Sequence, residues 1–142
     1  MTSTDGAPSL LTPTGTAALV TIKRDGRPQI SNVGYAHDPA ANLVRISLTE
    51  DRAKTRNLRR DPRASLYLTT ANGRAYLVVE GTVDFSPVAA APDDATVEEL
   101  ISLYRQVGGE HPNWDEYRAA MVADRRLVAR LRIERSYGWD GR

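Results

Sequence analysis

The chain has 142 residues, of which 41% are hydrophobic and 26% charged, so we expect an ordinary folded protein with a single domain over residues 1–142. A net charge of +1 and an aromatic content of 6% argue against a nucleic-acid partner. The lack of cysteine excludes disulfides and thiolate metal sites. No apolar run approaches the roughly 20 residues of a membrane span, so we expect no membrane insertion and a cytoplasmic location.

Short runs of alternating apolar and polar residues fill the first half of the chain. They predict strands over residues 15–23, 28–37, 43–49, 64–70 and 74–85. Asp25-Gly26 and Asn72-Gly73 are typical hairpin turns, because glycine adopts a positive φ at little steric cost. A short helix is predicted over Arg52–Asp61, and it stops before Pro62 because the residue before proline avoids helical geometry.

Two helices and one strand are predicted in the second half. Apolar residues recur at helical spacing from Val97 to Val107, with Gly108 at the helix end. Asn113 and Glu116 form a capping box for the next helix. A sixth strand is predicted over residues 127–137, and we expect residues 136–142 to form a tail and residues 1–14 to be poorly ordered. Six strands with few helices indicate a mainly β fold, a small antiparallel barrel with peripheral helices.

The segment from Thr49 to Arg63 is rich in basic residues. At 100° per residue, one broad helix face carries Arg52, Arg56, Arg59, Arg60 and Arg63. Lys54 lies elsewhere, close to the point where the strand ends and the helix begins. The free amides and the positive dipole end of a helix favour an anion there. The alternative is a solvated basic helix whose start is satisfied by Glu50 and Asp51.

Several runs in this order resemble the pyridoxamine 5′-phosphate oxidase-like superfamily of split β-barrels. They are Leu19–Val33, Arg52–Ala64, Glu80-Gly81, Leu103-Tyr104-Arg105, Trp114–Arg118 and Tyr137-Gly138. Within it the chain is similar to the F420-dependent reductases, a branch often called PPOX class. The resemblance implies a six-stranded antiparallel split β-barrel of the FMN-binding type. It also implies a homodimer whose cofactor clefts lie between the subunits.

The resemblance further implies which residues bind the cofactor. Its phosphate is expected at Arg52, Lys54 and Asn57, with Ser47 and Thr49 on the preceding strand. The edge of its tricyclic ring is expected along Ser31, Asn32 and Val33, and the anionic tail of F420 is expected near Arg56, Arg59 and Arg60. Ala53 separates Arg52 from Lys54, whereas FMN enzymes typically have adjacent Arg and Lys. The resemblance therefore does not decide which of these basic residues holds the phosphate.

The function implied is hydride transfer from reduced F420 to an electron-poor small molecule, such as a quinone, an enone or a tetrapyrrole. Such chemistry requires no catalytic side chain, because the protein mainly positions two rings and excludes water. His37 and His111 lack the spacing of a metal site, so no metal is expected. The alternatives are an FMN-dependent oxidase of the same fold and a non-catalytic F420 carrier.

Overall fold

The protein, described over residues 10–142 by a computed structural model, consists of six strands and three helices. Their order is β1 (Thr14–Ile22), β2 (Pro28–Asp38), β3 (Leu43–Thr49), α1 (Ala53–Arg60), β4 (Arg63–Thr69), β5 (Tyr76–Phe85), α2 (Ala95–Gly108), α3 (Trp114–Ala123) and β6 (Arg126–Trp139). Each of these elements matches a predicted one, with ends that differ by a few residues.

The strands close into a barrel in the order β1-β2-β3-β6-β5-β4, and β4 pairs with β1. All pairings are antiparallel, and β6 lies between β3 and β5 and hydrogen-bonds to both. The predicted hairpin turns are confirmed, since Gly26 and Gly73 have φ values of 89° and 71°. The predicted six-stranded antiparallel barrel is confirmed as well.

Alternate residues of each strand fill the barrel interior. In β3, Val44, Ile46 and Leu48 are buried in this core, whereas Ser47 and Thr49 face the outside of the barrel. Other large members of the core are Leu19, Tyr35, Leu66, Val79, Leu127 and Leu131. The outward side chains of β3 are thereby available to form a site beneath the helices.

Helices α2 and α3 pack on the outer surface of the barrel, where α2 contacts β2, β3 and β6. The second, smaller core between them and the barrel contains Ala89, Val97, Leu100, Ile101, Tyr117, Met121 and Val128. The Asp94 side chain caps α2 by accepting a hydrogen bond from the amide of Val97 at 2.8 Å. In the described part of the chain, no helix has the length and apolar character needed to cross a bilayer.

The ends of α2 and α3 differ in detail from the prediction. The left-handed residue that terminates α2 is Gly109, with φ 79°, rather than Gly108. Asn113 caps α3 by accepting from the Glu116 amide, as predicted. The reciprocal bond from the Glu116 side chain is absent among the described contacts, because the Asn113 amide donates to Nδ1 of His111 instead.

The predicted C-terminal tail is largely wrong, because β6 continues to Trp139. Its last residues, 136–139, pair with residues 76–79 of β5. Two glycines allow the backbones of β5 and β6 to approach. A Cβ on Gly138 would lie 2.2 Å from the carbonyl oxygen of Tyr76, and a Cβ on Gly81, beside a bulge, would lie 1.9 Å from that of Arg132.

Most of the predicted poorly ordered segment, residues 1–14, lies outside the described residues, which begin at Leu10. In the described end of that segment, Leu10 and Leu11 pack partly buried against the barrel core. The Thr12 hydroxyl donates to the carbonyl oxygen of Thr14, where β1 begins. Poor order of residues 1–14 stays a prediction.

Candidate functional site

The start of α1 has unused hydrogen-bond donors at the point where the chain leaves β3. Arg52 occupies the N-cap position in an extended conformation, and no side chain of the described residues caps this helix end. Glu50 instead accepts two hydrogen bonds from the guanidinium of Arg59. The interpretation that Glu50 and Asp51 satisfy the helix start is therefore wrong, and its free amides and positive dipole end favour an anion.

Lys54 and Ser31 lie together although 23 residues separate them in the chain. Lys54 Nζ donates to Ser31 Oγ at 2.9 Å, so the first turn of α1 is connected to β2. Burial lowers the pKa of the Lys54 amine, and the nearby charge of Arg52 lowers it further. An anion beside these two cations would offset both effects, which makes the pair suitable for a phosphate group.

Thr49 and Arg126 are paired across β3 and β6, and each has a buried polar atom without a partner. Thr49 is only 9% exposed, and neither its Oγ1 nor the Nε of Arg126 has a hydrogen-bond partner within the described residues. Leaving such a group unsatisfied costs about 1–3 kcal/mol. The oxygen atoms of a bound ligand would satisfy both atoms.

Two depressions adjoin at Arg126. The first, here called the polar groove, has a volume of about 590 Å³ and is lined by Thr49, Asp51, Arg52, Asp124, Arg125 and Arg126. The second, the apolar pocket, has a volume of about 350 Å³ and is lined mainly by Ser47, Leu100, Leu103, Tyr104, Met121 and Arg126. The polar groove offers donors for an anionic group, and the apolar pocket beside it suits a flat organic molecule.

Asn57 is engaged entirely by the protein itself. Its Nδ2 donates to Thr21 Oγ1 and Gln29 Oε1, both at 3.2 Å, and its Oδ1 accepts from Arg60 at 3.0 Å. The side chain is buried and fastens α1 to the β1–β2 hairpin. A direct contact between Asn57 and a cofactor phosphate stays a prediction, and the geometry gives this residue a structural role.

The three candidate residues on β2 face different environments. Ser31 faces the start of α1 through Lys54. Val33 is buried in the barrel core, so its side chain is not available to a ring edge. Asn32 is exposed on the outer surface opposite Ala18. Contact of Asn32 and Val33 with a cofactor ring stays a prediction, and for Val33 it would involve the backbone.

The predicted face of five arginines is divided by the fold. Arg59 forms an ion pair with Glu50, and Arg63, which begins β4, forms one with Asp61 at 2.8 Å. The hydrogen bonds and charge of Arg63 lower the pKa of the Asp61 carboxyl. Two of these arginines are therefore neutralised by the protein's own carboxylates, and fewer remain for a ligand than the sequence suggests.

A third depression, the basic groove, lies between the β1–β2 hairpin and α1. It has a volume of about 460 Å³ and includes Lys23, Arg24, Arg56 and Arg60, and none of its lining residues is acidic. Lys23 and Arg24 follow β1 directly and were not singled out in the sequence. The groove thus combines two predicted arginines with two cations that only the fold brings near them.

Sequence reasoning also missed Arg125 and Arg126. Their proximity to Thr49 depends on the pairing of β3 with β6, which are far apart in the chain. Arg125 has a φ of 53°, a left-handed conformation that costs about 1 kcal/mol or more in a residue other than glycine. Its carbonyl oxygen accepts from the Glu50 amide at 3.0 Å, which joins the two turns that border the polar groove.

The chain belongs to the pyridoxamine 5′-phosphate oxidase family, whose profile matches residues 4–140. Proteins of this family bind flavin, and the closed six-stranded barrel is the split barrel of that family. The family includes oxidoreductases, and membership fixes the fold of this chain.

Solved structures with this fold include proteins with different functions. An F420 reductase is 27% identical, with a TM-score of 0.66 over 90% of this chain and 93% of that chain. A conserved hypothetical protein from Mycobacterium tuberculosis is 21% identical, with a TM-score of 0.73 over 100% of this chain and 87% of the other. A haem-binding protein from Mycobacterium smegmatis is 18% identical, with a TM-score of 0.69 over 96% of this chain and 53% of the other. At these identities, the two mycobacterial proteins share the fold alone.

Proposed function

We propose that the protein is a cytoplasmic F420-dependent reductase that transfers hydride from reduced F420 to an electron-poor small molecule such as a quinone, an enone or a tetrapyrrole. The observation that carries this proposal is the cationic start of α1, which no described side chain caps: Lys54 lies in its first turn, and Arg52 lines the polar groove with Thr49, whose hydroxyl has no partner among the described residues. The similarity to an F420 reductase at 27% identity over 90% of the chain supports the choice of cofactor.

The donors at the start of α1 fit the phosphodiester of F420. The first-turn amides, Lys54 and Arg52 can donate to its oxygens, and Thr49 Oγ1 lacks a partner among the described residues. The basic groove, which begins beside Ala53 and Arg56, supplies four cations for the anionic lactyl-oligoglutamate tail. These residues thus match F420 in their positive charge and in their hydrogen-bond donors.

When bound, reduced F420 supplies the hydride. The residues of this chain have the tasks of holding the phosphate, orienting the ring and excluding water. Lys54 and Arg52 hold the phosphate, and Ser31 fixes the direction of the Lys54 amine. The apolar pocket beside Ser47 provides a surface from which water is easily displaced. No side chain is required to donate or remove a proton from the cofactor.

A second candidate is FMN-dependent oxidation, and one observation favours it. Arg59 and Arg63 are neutralised by Glu50 and Asp61, so the surplus of cations that the sequence suggests is smaller in the fold. A single phosphate, as in FMN, needs only Lys54, its neighbours and the helix start. Membership of a flavin-binding family supports the same alternative.

Titration of each cofactor in the same buffer distinguishes the two. We expect F420 to bind at least about tenfold more tightly than FMN, a difference of about 1.4 kcal/mol, when the quenching of cofactor fluorescence is followed. Equal or tighter binding of FMN would assign the protein to the oxidase alternative. Steady-state reoxidation of reduced F420 over a panel of acceptors then separates a reductase from an F420 carrier, which would bind the cofactor without turnover.

We further propose that two copies associate through the outer face of the barrel. There, Tyr67 and Tyr76 stack at 6.1 Å between ring centroids, and Tyr67 and Trp139 are 41% and 43% exposed. Tyr137 is on the same face, since it pairs with Val78, which in turn pairs with Tyr67. Exposed apolar patches of this kind mark association surfaces.

Light scattering tests the dimer. We expect a mass of twice the 15.6 kDa of one chain at micromolar concentration. Tyr67→Glu should shift it toward the monomer, because a carboxylate would be desolvated in the interface. Val107→Glu is the matched control, since Val107 is 51% exposed but lies on α2, away from this face. A monomeric wild-type protein would refute the dimer.

A further inference from the structure

The apolar pocket has the size and lining of a small-molecule site, with one charged side chain. Its volume of about 350 Å³ lies at the lower end of the range of about 300–1,000 Å³ for such sites. Leu103, Val107 and Met121 supply aliphatic walls, and Tyr104 and Tyr117 supply aromatic ones. The only charged side chain that lines the pocket is Arg126, which enters from the first residue of β6.

The charge of Arg126 lacks a counter-ion in the described part of the chain. It forms no ion pair with a described residue, its Nε is buried without a partner, and its one side-chain hydrogen bond is a 3.3 Å contact in which Nη1 donates to Ser47 Oγ. Arg130, four residues along the same strand, contrasts with it, because Arg130 is paired with both Glu99 and Asp84. Asp51 and Asp124 line the adjoining polar groove but form no ion pair with Arg126 in this structure. A half-buried guanidinium without a carboxylate partner is satisfied well by an anionic ligand.

The aromatic walls favour a flat ligand. The rings of Tyr104 and Tyr117 lie 5.0 Å apart at 63°, and Trp114 packs against both at 5.7 and 5.5 Å. The Tyr117 hydroxyl donates to the carbonyl oxygen of Leu100, so Tyr117 offers its ring rather than its hydroxyl to the pocket. Flat conjugated molecules gain most from offset or edge contacts with such rings.

We propose that the apolar pocket binds a flat, conjugated organic acid whose carboxylate contacts Arg126 and Ser47. In the reductase proposed above, this molecule is the hydride acceptor, so the inference narrows the acceptor from neutral quinones to conjugated carboxylic acids. Only that role rests on the proposed function, since binding of the acid depends on the pocket alone. Arg126 is thereby a residue that determines specificity.

The test uses 2-naphthoate and its uncharged counterpart 2-naphthamide as probes on the full chain without cofactor. Isothermal titration calorimetry should show that the carboxylate binds about tenfold or more tightly than the amide, since charge-assisted hydrogen bonds are about twice as strong as neutral ones. The fluorescence of Trp114 should change on binding, because its ring contacts two rings of the pocket wall. Equal binding of the two probes to the wild-type protein would overturn the proposal without any variant.

Variants assign the effect to Arg126. Arg126→Gln should abolish the preference for naphthoate while leaving the affinity for naphthamide unchanged. Arg118→Gln is the matched control, because Arg118 is paired with Glu98 and does not line the pocket. Lys54→Ala should weaken F420 binding and leave naphthoate binding intact, which separates failure of this proposal from failure of the cofactor assignment. A preference for naphthoate that survives Arg126→Gln would refute the role of Arg126.

Discussion

The lowered pKa of Lys54 predicts how cofactor binding depends on pH. Burial and the charge of Arg52 disfavour the protonated amine in the free protein, whereas a bound phosphate favours it. Affinity for F420 should therefore be full while Lys54 is protonated and fall as the pH rises through its lowered pKa. Replacement by arginine should remove this fall, because a guanidinium stays charged throughout that range.

The expected loss of F420 affinity in Lys54→Ala follows from the contacts of Lys54. A hydrogen bond to a charged group contributes about 1.5–3 kcal/mol, and the partial exposure of Lys54 favours the lower end. Lys54→Ala should thus weaken F420 binding by about tenfold, which corresponds to about 1.4 kcal/mol. Arg63→Ala should leave the affinity almost unchanged, because Arg63 pairs with Asp61 at the start of β4.

The stability of the free protein should depend on pH in the opposite direction to F420 binding, which provides a second check. The pKa of Lys54 is lower in the folded than in the unfolded chain, so its contribution to the free energy of unfolding increases as the pH rises through the folded value. Binding and stability should therefore change in opposite directions in the wild-type protein.

The assay is fluorescence titration with F420 from about pH 6 to about pH 10, at low and high salt, since exposed charges are screened by salt. An affinity that is independent of pH, or that falls equally in wild type and Lys54→Arg, would refute the assignment of Lys54. Equal losses for Lys54→Ala and Arg63→Ala without salt dependence would indicate that α1 is a solvated basic helix.

Three further predictions concern stability, each measured by urea unfolding. Gly138→Ala should destabilise the protein by about 1–3 kcal/mol or more, because the added Cβ would clash with a carbonyl oxygen. Gly34→Ala is the control and should be tolerated, because its Cβ meets only an ordinary contact at 3.9 Å. Equal effects of the two substitutions would contradict the close approach of β5 and β6. Asp94→Ala should cost about 1–2 kcal/mol at neutral pH, and since backbone hydrogen bonds lower the pKa of Asp94, this difference should disappear as the pH falls through that pKa. Glu99→Gln should destabilise the protein more than Arg105→Gln, because Glu99 forms ion pairs with both Arg45 and Arg130. Arg105 forms only an exposed ion pair, worth about 0–1 kcal/mol. The reverse order would refute a structural role for the ion pairs of Glu99.

Local signals in the sequence were sufficient for most of the fold. Asp25-Gly26 and Asn72-Gly73 fix their hairpins because a turn depends on two adjacent residues and one positive φ. The prediction failed at Trp139, which continues β6 two residues beyond the predicted end at Tyr137. The apolar side chain of Trp139 is exposed on an outer sheet face, so the alternation that marks a half-buried strand is weak there.

The candidate site was predictable where its residues follow one another and obscure where it depends on register. The uncapped start of α1 lies within one segment, so Arg52 and Lys54 could be found from the sequence and the family resemblance. Arg126 reaches Thr49 only through the pairing of β3 with β6. The division of the arginine face was equally hidden, because neutralisation of Arg59 depends on how Glu50 leaves the end of β3.

The position of β6 has a consequence for how the chain folds. It is made after the other five strands, yet it lies between β3 and β5, so the growing chain exposes the facing edges of both until β6 has emerged. Closure brings together residues from opposite parts of the chain, such as Leu43 and Arg132, and such non-local pairing slows folding. The incomplete barrel is therefore the species most prone to aggregate during synthesis, and chaperones or slow growth at low temperature should raise the yield of folded protein.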